Sequence, residues 1–231
     1  MAALWHRRLI LAVILPKYSR PKILDRENLI NIAYQEYWTH GINNVTLTSI
    51  AKLANVSRPG IYKEFEDEDG LKSEVLKKYT YALKEHVLSQ YKNSKDIRTL
   101  IYHLHSYIGF PQDRKIFKEI KNTPIFNAPK NPNGCLYEKA KIVKHLLNKK
   151  TIKEVNNFEN YRKIVFTNYI NRMQKYGEIN KSLKPEDVYE YLAATLSMLQ
   201  SLKNNGMIKE KIKIIINRAL SAIVTPEYTL N

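Results

Sequence analysis

The side chains in this chain best suited to recognising a partner cluster between Ser57 and Lys63, in the run Ser-Arg-Pro-Gly-Ile-Tyr-Lys. Ser57 is a natural N-cap, and Pro59 falls in the first turn of the helix it opens, where a missing N–H costs nothing. Ile61 and Phe65, four apart, face inward, so Arg58, Gly60, Tyr62 and Lys63 point elsewhere. Just upstream, Thr46 caps a shorter amphipathic helix in which Leu47, Ile50, Ala51 and Ala54 recur at helical spacing. Asn55, which tolerates the left-handed conformation, separates the two. Two short helices with a tight turn, the second carrying Tyr and Lys outward, read as a helix-turn-helix, whose second helix is built to enter a DNA major groove.

Catalytic chemistry finds little support elsewhere. There is no Gly-rich phosphate loop, no Gly-x-Ser-x-Gly, no paired Cys and no His-Glu-x-x-His, so neither an enzyme nor a cofactor is expected. His103 and His105 are two apart on a helix and point to different faces, which makes them poor joint metal ligands, and no metal is expected. Cys135, the single cysteine, leaves two readings open. It follows Gly134 at a helix start with Lys139 one turn on, a setting that lowers a thiol pKa and suits an oxidant or electrophile sensor. A lone Cys also serves as a small buried hydrophobe.

The helix-turn-helix resembles the DNA-binding domain of TetR-family transcriptional regulators, whose motif has the form G-x4-T/S-x3-I-A-x2-A-G-V-S-x3-L-Y-x2-F-x2-K-x2-L. Gly41, Thr46, Ile50, Ala51, Ala54, Val56, Ser57, Ile61, Tyr62, Phe65 and Leu71 stand in register with it. Looser similarity to one subgroup's sensor domain runs through Asn133-Gly134-Cys135-Leu136, Gly177-Glu178-Ile179 before Pro185, and Ala194 to Leu202. The resemblance implies an effector-responsive dimeric regulator, expected to be a repressor, on a near-palindromic double-stranded operator. The weighed alternatives are a constitutive DNA-binding protein without effector control and, behind it, a small-molecule enzyme with an unrecognised active site.

By the same resemblance Arg58, Pro59, Gly60, Tyr62 and Lys63 meet the DNA. Arg58 can bond guanine in a bidentate manner, while Pro59 and Gly60 permit close approach and apolar contact with a thymine methyl. Tyr62 and Lys63 suit phosphates, with Thr46, Thr48 and Ser57 as helpers. The basic arm around Arg20 and Lys22, directly before the first helix, is a further candidate for backbone or minor-groove contact. Two positions depart from the family: Glu64 stands where His or Tyr is common, and Glu68 where the next helix begins with Lys. With Glu66, Asp67 and Asp69 they would repel phosphates. Acids in a helix's first turn also complement its dipole, which is the plain structural explanation. A phosphate anchor at position 68 is thereby in doubt, not the fold.

These groups must be held by helices. Asp25 caps a helix to about His40, which Gly41 ends; Gly70-Leu71 opens a long one reaching about Tyr91. Beyond it the spacing gives helices over 97–107, 114–120, 135–147, 155–176, 187–204 and 208–223, with a loop around Pro124, Pro129 and Pro132. The expected class is all-α: a three-helix helix-turn-helix domain at residues 19–70, then a larger effector-binding and dimerisation domain at 71–231. Tyr107, Phe166 and Tyr169 are the first candidates to line an effector pocket. Ala193, Ser197 and Ser201, four apart, are the candidate dimer seam, where small residues let helices approach closely.

Composition sets the bounds. The net charge of +16 suggests nucleic acid, yet residues 20–80 hold nine Lys/Arg against nine Asp/Glu, whereas the chain from Tyr81 holds 26 against 13. The excess therefore lies outside the reading helices and fits a solvated lysine-rich surface. A single Cys excludes an internal disulfide and fits a reducing cytoplasm. No apolar run approaches the ~20 residues of a membrane span. Residues 1–18 carry Arg7 and Arg8 before a short apolar run. They are expected to be a poorly ordered extension or a product of a misassigned start, with a short membrane or partner helix as the remaining reading.

Overall fold

The computed structural model describes residues 24–108, 129 and 134–228. The extension at 1–18, Arg20, Lys22 and most of the Pro-rich loop lie outside them. Among the described residues the architecture is all-α, with a single antiparallel bridge between Ile179 and Val224.

The first three helices follow from their caps. Asp25 accepts from Asn28 N at 3.0 Å and starts α1, Arg26–His40, which buries Leu29, Ile30, Ala33, Tyr34, Tyr37 and Trp38. Thr46 accepts from Ser49 N at 3.2 Å and opens α2, Leu47–Ala54, closed by Asn55 at φ 52°, ψ 46°. Ser57 accepts from Gly60 N at 3.2 Å and opens α3, Arg58–Phe65.

α4 spans Glu68–Leu83 and starts earlier than the expected Gly70, because Asp67 caps it with a 2.6 Å bond from Gly70 N. Gly70 is thus inside the first turn, where a Cβ would lie 1.9 Å from the Phe65 carbonyl oxygen. The expected long helix does reach Tyr91, but not as one regular spiral. A π turn, Lys84–Leu88, leads into α5, Ser89–Asn93. One extra residue turns the following face by about 100°, and Leu88 and Tyr91 become the buried positions.

α6 is Arg98–Ile108. α7, Leu136–Ile142, is shorter than expected and passes through a 3-10 turn, Lys144–Leu146. α8 then runs 28 residues, Lys149–Tyr176, starting six residues before the expected Val155. Gly177 ends it in the left-handed conformation. α9, Pro185–Asn204, and α10, Lys209–Ser221, complete the fold.

α8 is the central strut, packing along α4, α5 and α9, while α1 packs on α4 and α10 on α6. The buried apolar side chains form one cluster from Leu29 to Val224. The helix-turn-helix and the later helices therefore share a core. Polar contacts reinforce that seam. Trp38 Nε1 donates to Gly134 O at 2.6 Å, and the Lys139 ammonium donates to Trp38 O at 2.6 Å. Gly134 (φ 87°) is packed so tightly that a Cβ would lie 1.9 Å from the Gln200 amide.

Candidate nucleic-acid interface

The two caps and the left-handed Asn55 orient α3 so that Ile61 and Phe65 are buried and the intervening side chains are not. Arg58, Pro59 and Lys63 are exposed, Gly60 is half-buried, and Tyr62 remains 39% exposed although it is a large aromatic. Arg58 Nη2 donates to Tyr62 Oη at 3.0 Å, and the guanidinium lies 5.8 Å from that ring's centre. Two exposed side chains of one helix face are thus held side by side in a cation–π contact. Thr46, Thr48 and Ser57 are also exposed, with Thr46 and Ser57 engaged as caps.

Every acid of the suspected repulsive cluster is answered by a partner. Arg26 bridges Glu64 at 2.9 Å and Glu74 at 2.8 Å while stacking over Phe65. Lys72 pairs with Glu68 at 2.8 Å, and Lys150 with Glu66 at 2.8 Å and Asp67 at 3.2 Å. Buried Asp69 accepts from Lys150 N at 2.7 Å, Thr151 N at 3.1 Å and Thr151 Oγ1 at 2.5 Å, and so caps α8. The bonds to Thr151 join groups 82 positions apart, and no local signal announces them.

The other expected sites belong to the later helices. Phe166 and Tyr169 are buried core rings, with centroids 4.4 and 5.1 Å from that of Tyr91. Tyr169 Oη donates to Asp96 O at 2.9 Å. Tyr107 belongs to α6, but its side chain lies outside the described residues. In the proposed seam Ala193 is 6% exposed and turned into the protomer, and Ser197 donates to Glu138 Oε2 at 3.1 Å. Only Ser201 of that trio is exposed; the outer stripe runs through Tyr191, Ala194 and Met198 instead. The helix phase is set by α8, against which α9 packs.

Of the two readings left open for Cys135, its surroundings favour the small buried hydrophobe. Its residue is partly buried but its thiol is enclosed, and burial pushes the thiol up to about 11, assisted by the charge of Glu138. Tyr79 Oη donates to Sγ at 3.1 Å without overturning that. Lys139, which should have stabilised a thiolate, donates instead to the end of α1.

His103 shares a 3.0 Å bond with Gln90 Oε1 beside Tyr91, and burial lowers its pKa from 6.5 to about 4. A base whose folded pKa lies below its unfolded one binds its proton more readily when unfolded. Stability is therefore full above pH 6.5 and falls as pH drops through about 4. Thermal melts from pH 7 to 4 are expected to show this loss, and His103→Gln to flatten it; an unchanged profile in that variant would assign the loss elsewhere.

Comparison with known proteins places the helix-turn-helix segment beside one family of regulators. The pattern of bacterial regulatory proteins of the tetR family matches residues 29–75, from the core of α1 to the middle of α4. Residues 29–75 thus carry the helix-turn-helix pattern of the tetR family. The HTH-type transcriptional repressor ComR of Escherichia coli strain K12 is 32% identical over 61 residues, covering 26% of this chain and 29% of ComR. This match therefore spans less than a third of that relative. A TetR-family regulator from Agrobacterium tumefaciens superposes with a TM-score of 0.68 at 14% identity, covering 86% of this chain and 97% of that one. The TetR-family regulator CifR, as a cysteine mutant with 26 bp operator DNA, gives 0.64 at 17%, covering 88% and 99%. At these identities the structural likeness speaks for the fold, and TetR architecture extends well beyond the helix-turn-helix.

Proposed function

We propose that this chain is a DNA-binding transcriptional regulator, acting as a repressor that a small-molecule effector releases from a near-palindromic operator. The observation that carries the reading is α3: a capped, rigidly buttressed helix presenting Arg58, Tyr62 and Lys63 to solvent inside the family-matching segment. That ComR is named a repressor and CifR was seen with operator DNA supports it. No helix among the described residues is long and apolar enough to cross a membrane, and a DNA partner favours action in the cytoplasm.

In this proposal residues 19–70 read DNA and residues 71–231 bind effector and a second subunit. Two copies would meet through the outer stripe Tyr191, Ala194, Met198 and Ser201 of α9 with exposed Ile214 of α10. Two-fold symmetry then sets the recognition helices about one DNA turn apart. An effector that reaches Phe166 or Tyr169 must part them from Tyr91, whose helix continues directly into α4 and the reader. Ligand and operator affinity would be reciprocally coupled through that helix.

Titrating the purified protein on duplex from beside its own gene, and on random duplex, tests the reading. Retention without preference at physiological salt would argue for non-specific binding instead. Arg58→Ala is expected to cost about 1–3 kcal/mol per half-site and to relax preference at one base. Lys63→Ala is expected to weaken all sequences alike. The reverse pattern, in a library of operator variants, would exchange the roles of reader and anchor.

A further inference from the structure

We infer that Lys149, at the first position of α8 and outside the helix-turn-helix, contacts a DNA phosphate alongside Tyr62. The inference rests on the DNA-binding reading above. A groove of about 690 Å³ separates Tyr62 of α3 and Asp67, Glu68 and Asp69 from the start of α8, with Lys149 and Lys150 on its far wall. This wall is fixed in place. Asp69 holds the N–H groups of Lys150 and Thr151, so the first turn of α8 is fastened to the first turn of α4.

The charges lining the groove are spoken for, with one exception. Asp67 is paired with Lys150, Glu68 with Lys72, and Asp69 with α8. Lys150 is shared between Glu66 and Asp67. Lys149 is exposed, and its ammonium takes part in no ion pair or hydrogen bond with another described residue. Four carboxylates from Glu66 to Asp69 meet two paired lysines here, an unfavourable surface to bring against a polyanion. An unengaged cation facing Tyr62 across the groove is what lets phosphate approach. A lysine held for its charge requires no precise geometry, only reach, which a fixed helix start supplies.

The test measures affinity of the full chain against salt concentration, on duplex from beside its own gene and on random duplex of equal length. Lys149→Ala is expected to make the log–log salt slope shallower by about 0.9 per subunit and to weaken both duplexes by the same factor. Lys149→Arg should restore the slope, and Lys149→Glu should weaken binding further. Thermal stability should be unchanged in Lys149→Ala and Lys149→Arg, since the side chain has no partner among the described residues. Wild-type slope and affinity in Lys149→Ala, while Lys63→Ala loses slope in the same assay, would overturn this inference alone. A wild-type protein that retains neither duplex at low salt would overturn the DNA-binding reading and this inference together.

Discussion

Asp69→Ala is expected to lower the stability of the fold by about 3 kcal/mol, an effect disproportionate for a residue at a helix start. The carboxylate is 7% exposed and serves two helices at once. Placed in the first turn of α4, it accepts from Lys150 N, Thr151 N and Thr151 Oγ1 at the start of α8. Alanine would leave those donors without an acceptor, and Thr151 is itself fully buried. Bonds to a charged acceptor contribute about 1.5–3 kcal/mol each, and losing an N-cap costs about 0.5–2 kcal/mol, but these terms overlap at one carboxylate. Asp69→Asn, which keeps one oxygen, should cost less than half as much. Chemical denaturation of both variants gives the sizes, and amide exchange in the first turn of α8 should accelerate selectively in Asp69→Ala. A loss under 1 kcal/mol would show that water replaces the carboxylate without difficulty.

The contrast between this contact and those found by reading the chain has a physical basis. Thr46, Ser57 and Asp25 were legible as caps because a cap bonds an N–H three residues away, and spacing alone specifies it. The inward faces of Leu29, Ile50 and Ile61 were legible for the same reason, since periodicity encodes them. Asp69 meeting Thr151 depends on where two distant helices cross, and nothing in either segment encodes the meeting. Ala193 shows a second limit. Leu192, Ala193, Leu196, Met198, Leu199 and Leu202 surround most of α9, so periodicity leaves open which apolar side faces the protomer. Cys135 shows a third: a helix start lowers a thiol pKa only where the thiol stays wet, and enclosure here outweighs the dipole. In α3, residue types and their exposed face were legible; the Arg58–Tyr62 contact and the neutralised acids required the fold.

The largest single loss is expected from Arg162→Met, about 3–5 kcal/mol. Arg162 is 5% exposed and joins α7, α8 and α9. Its guanidinium bonds Glu138 at 2.5 Å and Glu159 at 2.8 Å, lies 5.0 Å from the centre of the Tyr137 ring, and reaches Tyr189 Oη at 3.4 Å. Among the described residues Glu138, 3% exposed, would keep only the Ser197 hydroxyl, leaving a buried carboxylate without a countercharge there. Breaking one partner of such a pair is costly, whereas replacing both by apolar groups of similar volume is often neutral. Arg162→Met combined with Glu138→Leu should therefore recover much of the loss, and the double-mutant cycle measures the coupling. Acid gives an independent check. Burial alone would raise the Glu159 carboxyl, but Arg162, with bonds from Tyr137 and Tyr189 and the charge of Lys141, outweighs it and holds the group at about 2 against an ordinary 4.5. A carboxylate depressed in the fold stabilises fully above 4.5 and loses that contribution as pH falls through about 2. Wild-type protein should show this acid limb and Arg162→Met a weaker one. A single variant as stable as wild type, with the limb intact, would mean that the buried charges are satisfied without Arg162.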